Sequence, residues 1–494
     1  MRDHQDVLIS DFNGLYQRDG GRDSCPPDHF SDCNNIQFVE GGFRTRDGFN
    51  TIYPGLSDVI KVYNYPKVAS TSLLVLTADG VIYDTAFIGT PILSISGMLD
   101  FGLAIYAGRA YISPSTTVHG MANEFVYVYL GDGTAARKAA GEPPVDADGV
   151  MTAANSGSAG DVEAGVHIFG VVYETNTGFL TQIGPETLAT VTAPGSEEVD
   201  LSTIPVSPNS YVTHKWIVAT RAINPALYTG DTRGYQFFFV PGSRITNATT
   251  TLTVSFFDIE LLQDASHLLD ILTEIPAGVG LTLYRGRIFN WTQEPDEEQS
   301  NILVSYPGEP EAFDAITGII QLQANHQPIT ICRELRDVLY IFKYAQTFAV
   351  TDNGDVPSSW SVITLDQGLG ASLHGVGIEL DNGGVSTDYL IITNYSGMYL
   401  FNGTFQFPEL SWKIADLWNS LEKNNFQRTE IYVDTILKRI YFITPDLALI
   451  IMGDYQHGLD LKTVRWTKWT ADFQFTSMCL TAFNTLIIGA REEV

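Results

Sequence analysis

The chain has 494 residues, 44% apolar and 17% charged, so it is too long for one hydrophobic core and too apolar for a disordered polymer. Asp and Glu outnumber Lys and Arg by 57 to 28, a formal net charge of −29 without any long Lys/Arg cluster. That balance argues against a dedicated nucleic-acid binder, which needs a basic footprint; it provides solubility, self-repulsion and long-range attraction to basic partners.

Abundant Tyr, Phe and Gly favour strands joined by turns. Met1–Phe12 lacks the apolar core of a signal peptide, and no apolar run reaches membrane-spanning length. Assembly inside a cell is therefore expected, with no membrane insertion from this chain. Residues 1–55 are rich in Gly, Asp and Asn and read as an extended N-terminal arm that drapes over its own domain or a neighbouring subunit. Short alternating runs follow at Val59–Tyr65, Ser72–Thr85, Phe101–Pro114 and Phe125–Gly133. Residues 136–164, full of Ala, Gly, Pro, Ser and Asp, have the composition of a linker. Residues 165–265 hold about seven short strands, the size and pattern of a β-sandwich that is immunoglobulin-like in architecture only, since no Cys…Trp…Cys arrangement is present. The hairpin pattern resumes at Leu281–Thr292, Asp337–Thr351, Asp388–Gly403 and Arg428–Thr444, in units roughly 45–55 residues apart. LDILTEI and Pro408–Lys423 are the main helix candidates, the second with Trp412, Ile414, Leu417 and Leu421 close to helical spacing. The expected fold is all-β: a β-propeller with its first blades in 56–135 and its remaining blades in 266–494, assembled on both sides of the inserted sandwich, its ring closed by strands from both chain ends. A set of sandwiches or a β-barrel is the alternative.

Chemistry-bearing motifs are sparse. The sequence contains no GxSxG elbow, HExxH, Walker loop, dinucleotide fingerprint or DxDxDG calcium loop. Cys25, Cys33, Cys332 and Cys479 form no CxxC pair; they read as reduced thiols, with Cys25 and Cys33 near enough in sequence to meet across a loop. His167 and His214 fall inside strand runs and read as sandwich residues. Glycoside hydrolysis needs two carboxylates, for which Asp84, Asp258, Glu309, Glu311, Asp388 and Asp454 are candidates, but no spacing pairs any two of them. A non-enzyme is expected, with no catalytic residue, cofactor or metal. In Asn35–Phe49, Arg44 and Arg46 share one face of an extended run beside Asp47. These three are the candidate inter-subunit arm contacts, through bidentate arginine–carboxylate pairs; the alternative is a local salt bridge that pins the arm.

The N-terminal run carries a resemblance. Phe12, Gly14, Pro26, Pro27, Asp32, Asn34, Asn35, Phe38, Gly41, Arg44, Arg46 and Gly48 follow the order FxG, a Pro stretch, an aspartate, then NxxF…GxxRTRxGF. Ile302–Asp314, ILVSYPGEPEAFD, is similar to an FSxPGxPExF segment, LYRGRIFNW lies just before it, and GVHIFGVVYETNTGFLTQIGP is similar to the start of an inserted sandwich. In this order the chain resembles the tail nozzle (tail tubular B-like) proteins of short-tailed bacteriophages. The resemblance implies a virion tail protein assembled in the host cytoplasm. Its partners would be itself in a ring, expected to be a hexamer, the portal and adaptor proteins, and tail fibres or other tail proteins. DNA would pass through transiently without specific binding. A host-surface glycan-binding tail protein, or a propeller glycoside hydrolase, is the competing reading.

Overall fold

The computed structural model describes all residues except 1–13, 19–24, 27–28, 31, 40–41, 47, 69, 117, 231–233, 294–299, 323–326, 380–387, 446, 461, 482–484 and 492–494. The chain divides into two compact units. The first comprises Met1–Ala136, Pro276–Ile302 and Ile320–Val494; the second comprises Arg137–Ile275 and Leu303–Ile319.

The first unit is built from antiparallel meanders, in which neighbours in sequence pair across short turns. Val59–Pro66, Thr71–Thr77, Val81–Asp84 and Pro91–Ser94 form one sheet in that order. Asp100–Tyr106, Arg109–Ser115 and Tyr127–Tyr129 run side by side, and Gly278–Tyr284 pairs with Arg287–Gln293. Ile329–Leu335, Val338–Lys343, Thr347–Val350 and Val362–Asp366 make a further sheet, as do Val376–Glu379, Tyr389–Asn394 and Gly397–Phe401. The C-terminal sheet has five strands: Glu430–Asp434, Arg439–Ile443, Leu447–Asp454, Arg465–Leu480 and Leu486–Arg491. Local chemistry sets these hairpins. The two-residue turn at Ala107–Gly108 has φ of 50° and 77°, and that at Arg285–Gly286 has 47° and 73°. Two successive left-handed residues match the twist of the flanking strands, and glycine takes the second position without a Cβ clash.

The structure corrects the expected closed β-propeller. The chain is all-β, but its sheets are open meanders, each ending in edge strands. Among the described residues no sheet combines strands from both chain ends: the hairpin Ile36–Val39/Gly42–Thr45 is a separate two-stranded sheet, and the C-terminal strands pair among themselves, taking only isolated bridges from Gly14 and Asn34. Repeated strand–turn–strand patterning specifies pairing between sequence neighbours. Closure depends on tilt and stagger between strands far apart in sequence, and a hairpin repeat does not encode these.

The second unit contains two facing sheets. Thr152–Val162, Glu197–Ser202 and Leu252–Val254 form one. Ala189–Ala193, Gly165–Thr175, Val212–Thr220 and Phe237–Phe239 form the other, with Ile245–Thr246 also pairing to Val212–Thr220. Phe169, Val171, Tyr173, Val199, Leu201 and Ile217 are fully buried in their shared core. The stretch 136–164, linker-like in composition, contains a 3-10 turn at Asp146–Asp148 and supplies Thr152–Val162 as the edge strand of the first sheet. Small residues suffice there because the strand is mostly exposed.

Helix is limited. LDILTEI overlaps a 3-10 turn at Ser266–Leu269. The run Pro408–Lys423 forms a 3-10 turn at Trp412–Ile414 and an α-helix at Ala415–Ser420, which stops where Leu421 becomes extended. No helix among the described residues is long and apolar enough to cross a membrane.

Candidate functional site

Several buried charges of the first unit meet in one cluster. Lys61 projects from Val59–Pro66, Asp100 opens Asp100–Tyr106, and Glu430 opens Glu430–Asp434; each is buried. Lys61 Nζ pairs with Glu430 and lies 4.0 Å from Asp100. Arg428 reaches Asp100 Oδ2 at 3.3 Å and Glu430 Oε1 at 3.4 Å. His374, in a left-handed conformation (φ 56°), places Nε2 2.7 Å from Asp100 Oδ2, and Phe101 N–H donates to Asp100 Oδ1 at 2.8 Å. Two carboxylates are thus balanced by two permanent cations.

Burial opposes ionisation of Asp100, but Arg428, Lys61 and His374 outweigh it and hold the carboxyl far below its usual range. Burial, reinforced by Lys61, lowers the His374 imidazole. We take His374 as neutral and donating Nε2–H to Asp100. A histidine on a carboxylate is half of a nucleophile-activating triad. Here, however, the same carboxylate is committed to two cations. The nearby Cys479 thiol is pushed up to about 12, chiefly by burial, and is not a thiolate at neutral pH. The arrangement ties Val59–Pro66, Asp100–Tyr106 and Glu430–Asp434 together.

This cluster escaped sequence analysis because its members span Lys61 to Glu430 with no local motif. The available signal was a charge at a strand position amid apolar neighbours, as Lys61 is in VIKVYNY.

Each of the carboxylates considered for hydrolysis has a polar partner of its own. Asp84 binds Lys67 at 2.6 Å and Tyr129 at 2.8 Å. Asp454 binds Arg465 at 3.1 Å, Asp388 binds Arg336 at 3.3 Å, and Glu309 lies 3.8 Å from His267. Asp258 accepts from Ala222 N–H at 2.8 Å. Glu311 is buried and receives Arg137 through both oxygens at 3.0 and 3.3 Å, together with Thr177 Oγ1 and Ala140 N–H. Within the second unit it ties the hairpin of Leu303–Ile319 to the start of Arg137–Ile275. Among the described residues, no group of three or more His, Cys, Asp or Glu could hold a metal ion. All four cysteines are free thiols. His167 is fully buried, with its ring nitrogens 3.1 and 3.0 Å from the carbonyl oxygens of Thr220 and Glu163. His214 sits beside Arg244, which grips Glu174 through two contacts of 2.7 Å.

The arm packs on its own chain. Gly14 and Asn34 bridge in parallel to Trp466 and Lys468 of Arg465–Leu480. Leu15 N–H donates to Trp466 O at 2.8 Å, and Asn35 N–H donates to Lys468 O at 2.7 Å. Gly14 is required: its φ is 81°, and a Cβ there would stand 2.6 Å from Trp466 N. Phe38 is buried in the core beneath. Arg46 donates to Asn35 Oδ1 at 3.0 Å and Thr470 O at 2.9 Å, with its guanidinium 4.0 Å over the Phe49 ring. Arg46 therefore pins the arm within the chain through carbonyl oxygens and a ring face. Arg44 is exposed and donates to Gln37 at 3.2 Å. Asp47 lies outside the described residues.

No protein-family model and no curated protein matches this chain. Among solved structures, it is similar to Kluyvelomyces marxianus Hsv2 at 7% identity and TM-score 0.26, covering 52% of this chain and 63% of that one. It is also similar to BBS1N in complex with ARL6DN at 10% identity and TM-score 0.28, covering 90% and 93%. A third is the dihydro-heme d1 dehydrogenase NirN, at 9% identity and TM-score 0.26, covering 69% and 66%. Likeness at this level carries no argument about function.

Proposed function

We propose that the chain is a virion structural protein, a subunit of an oligomeric tail nozzle or connector ring. The ring would form the DNA ejection conduit below the portal and adaptor of a short-tailed phage. The carrying observation is that residues of the resembling N-terminal run have defined structural duties. Gly14 admits the close approach to Trp466, Phe38 fills the core, and Arg46 locks the arm. Glu311, from the resembling segment Ile302–Asp314, is likewise a buried anchor. The reading is supported further by a net charge of −29, which repels phosphate and favours sliding over gripping.

Antibodies raised against the chain, applied to the short-tailed particles of its source, test this reading by electron microscopy. Label on the tail axis below the capsid is expected. Label confined to peripheral fibres, or to no particle, would overturn it.

A further inference from the structure

The sandwich unit carries an apolar tip that its own core does not explain. Across residues 257–262 the side chains divide into two sets. Leu261, like the preceding Phe256, is fully buried, whereas Phe257, Ile259 and Leu262 are 46%, 78% and 80% exposed. Single exposed apolar residues are ordinary, but three within six positions concentrate apolar surface on one short segment. The backbone that presents them is fixed: Phe257 N–H donates to Glu260 Oε2 at 2.9 Å, Ala222 N–H to Asp258 Oδ2 at 2.8 Å, and Arg221 to Leu261 O at 3.0 Å. Such a tip enters a contact with little ordering cost. It is collared by acid: Glu260, Asp161 and Glu163 are exposed, and Glu163 accepts from Asp258 N–H at 3.3 Å. The complementary surface must be apolar and cationic.

The arm hairpin of the same sequence has that chemistry. Phe43 is 44% exposed on Gly42–Thr45, an edge strand, and packs edge-on against Phe30 at 5.4 Å. Exposed Arg44 follows it directly. We propose that the tip of residues 257–262 docks on the Phe43–Arg44 hairpin of a second copy of this chain. Phe257, Ile259 and Leu262 meet the Phe30–Phe43 platform, and the acidic collar meets Arg44. Because the two surfaces differ, the contact is heterologous and propagates around a ring or along a filament. The inference rests on the preceding reading only in requiring that copies associate.

Sedimentation velocity of the full chain over a concentration series tests it, with thermal melting to verify folding. The Ile259→Asp/Leu262→Asp double variant should melt like the parent and weaken self-association roughly tenfold or more. Arg44→Glu should weaken it as well, and adding Asp161→Arg, which leaves the Glu260 contact to Phe257 intact, should restore it. Unchanged association in the double variant, no recovery on charge exchange, or a parent that stays monomeric at every concentration would each overturn the docking proposal. Labelling of the tail axis on particles is a separate result, so the two readings fail separately.

Discussion

Asp100 and Glu430 are buried carboxylates whose charges are tolerable only because Lys61 and Arg428 are fixed beside them. Removing one partner leaves the other charge uncompensated in a poorly solvated site. Lys61→Met is expected to cost about 3–5 kcal/mol in chemical denaturation. Lys61→Met combined with Glu430→Gln should recover part of that loss, because the stranded charge goes too. His374 adds a pH signature. Its folded value lies below the ordinary 6.5, so the unfolded chain binds more protons just below that pH. The contribution is fully present above about pH 6.5 and is lost as pH falls toward the depressed folded value. His374→Gln should therefore flatten the fall in denaturation midpoint between pH 7.5 and 5. Lys215, buried against the carbonyls of Ile204 and Pro205, gives the counterpart in the sandwich unit. Burial lowers it from 10.5 to about 8, so its contribution to stability grows as pH rises from about 8 to 10.5. Lys215→Met should abolish that rise. An unchanged pH slope in either variant would show that the named residue does not control it.

At the scale of elements, the bridges from the arm to Arg465–Leu480 make a sharp prediction. Gly14→Ala sets a Cβ against the Trp466 backbone at a left-handed position. It should release the arm to limited proteolysis while the sandwich stays protected; Arg46→Ala should do so more mildly. Resistance equal to the parent in Gly14→Ala would contradict the docked arm. Hairpins such as Thr71–Thr77/Val81–Asp84 were legible from the sequence because alternation and a Gly turn are local signals. Thr152–Val162 was not, because an exposed edge strand of Ala, Ser and Gly has no apolar alternation to display. The helical run Pro408–Lys423 was only half legible: its spacing marked one helix, where a 3-10 turn at Trp412–Ile414 precedes a short α-helix at Ala415–Ser420. The charge cluster was illegible because His374, Arg428 and Lys61 meet only after distant strands assemble. Arg46 was read as an inter-subunit contact or a local pin of the arm; the contacts described for it, to Asn35, Thr470 and the Phe49 ring, lie within the chain.

For the molecule as a whole, repeat spacing indicated a succession of small antiparallel sheets and overreached on their closure. Each hairpin satisfies its own turn chemistry, but closure is a non-local property, and the observed sheets are open. The net charge of −29 is likewise a property of the whole chain; it opposes close approach of copies and of DNA alike. A ring must therefore be held by specific contacts, and raising ionic strength should promote self-association by screening the repulsion. The most direct measurement is cryo-electron microscopy of the purified full chain at high protein concentration and moderate salt. The account predicts a closed ring, with six subunits expected, around a central channel. Isolated monomers, or a compact trimer without a channel, would contradict it.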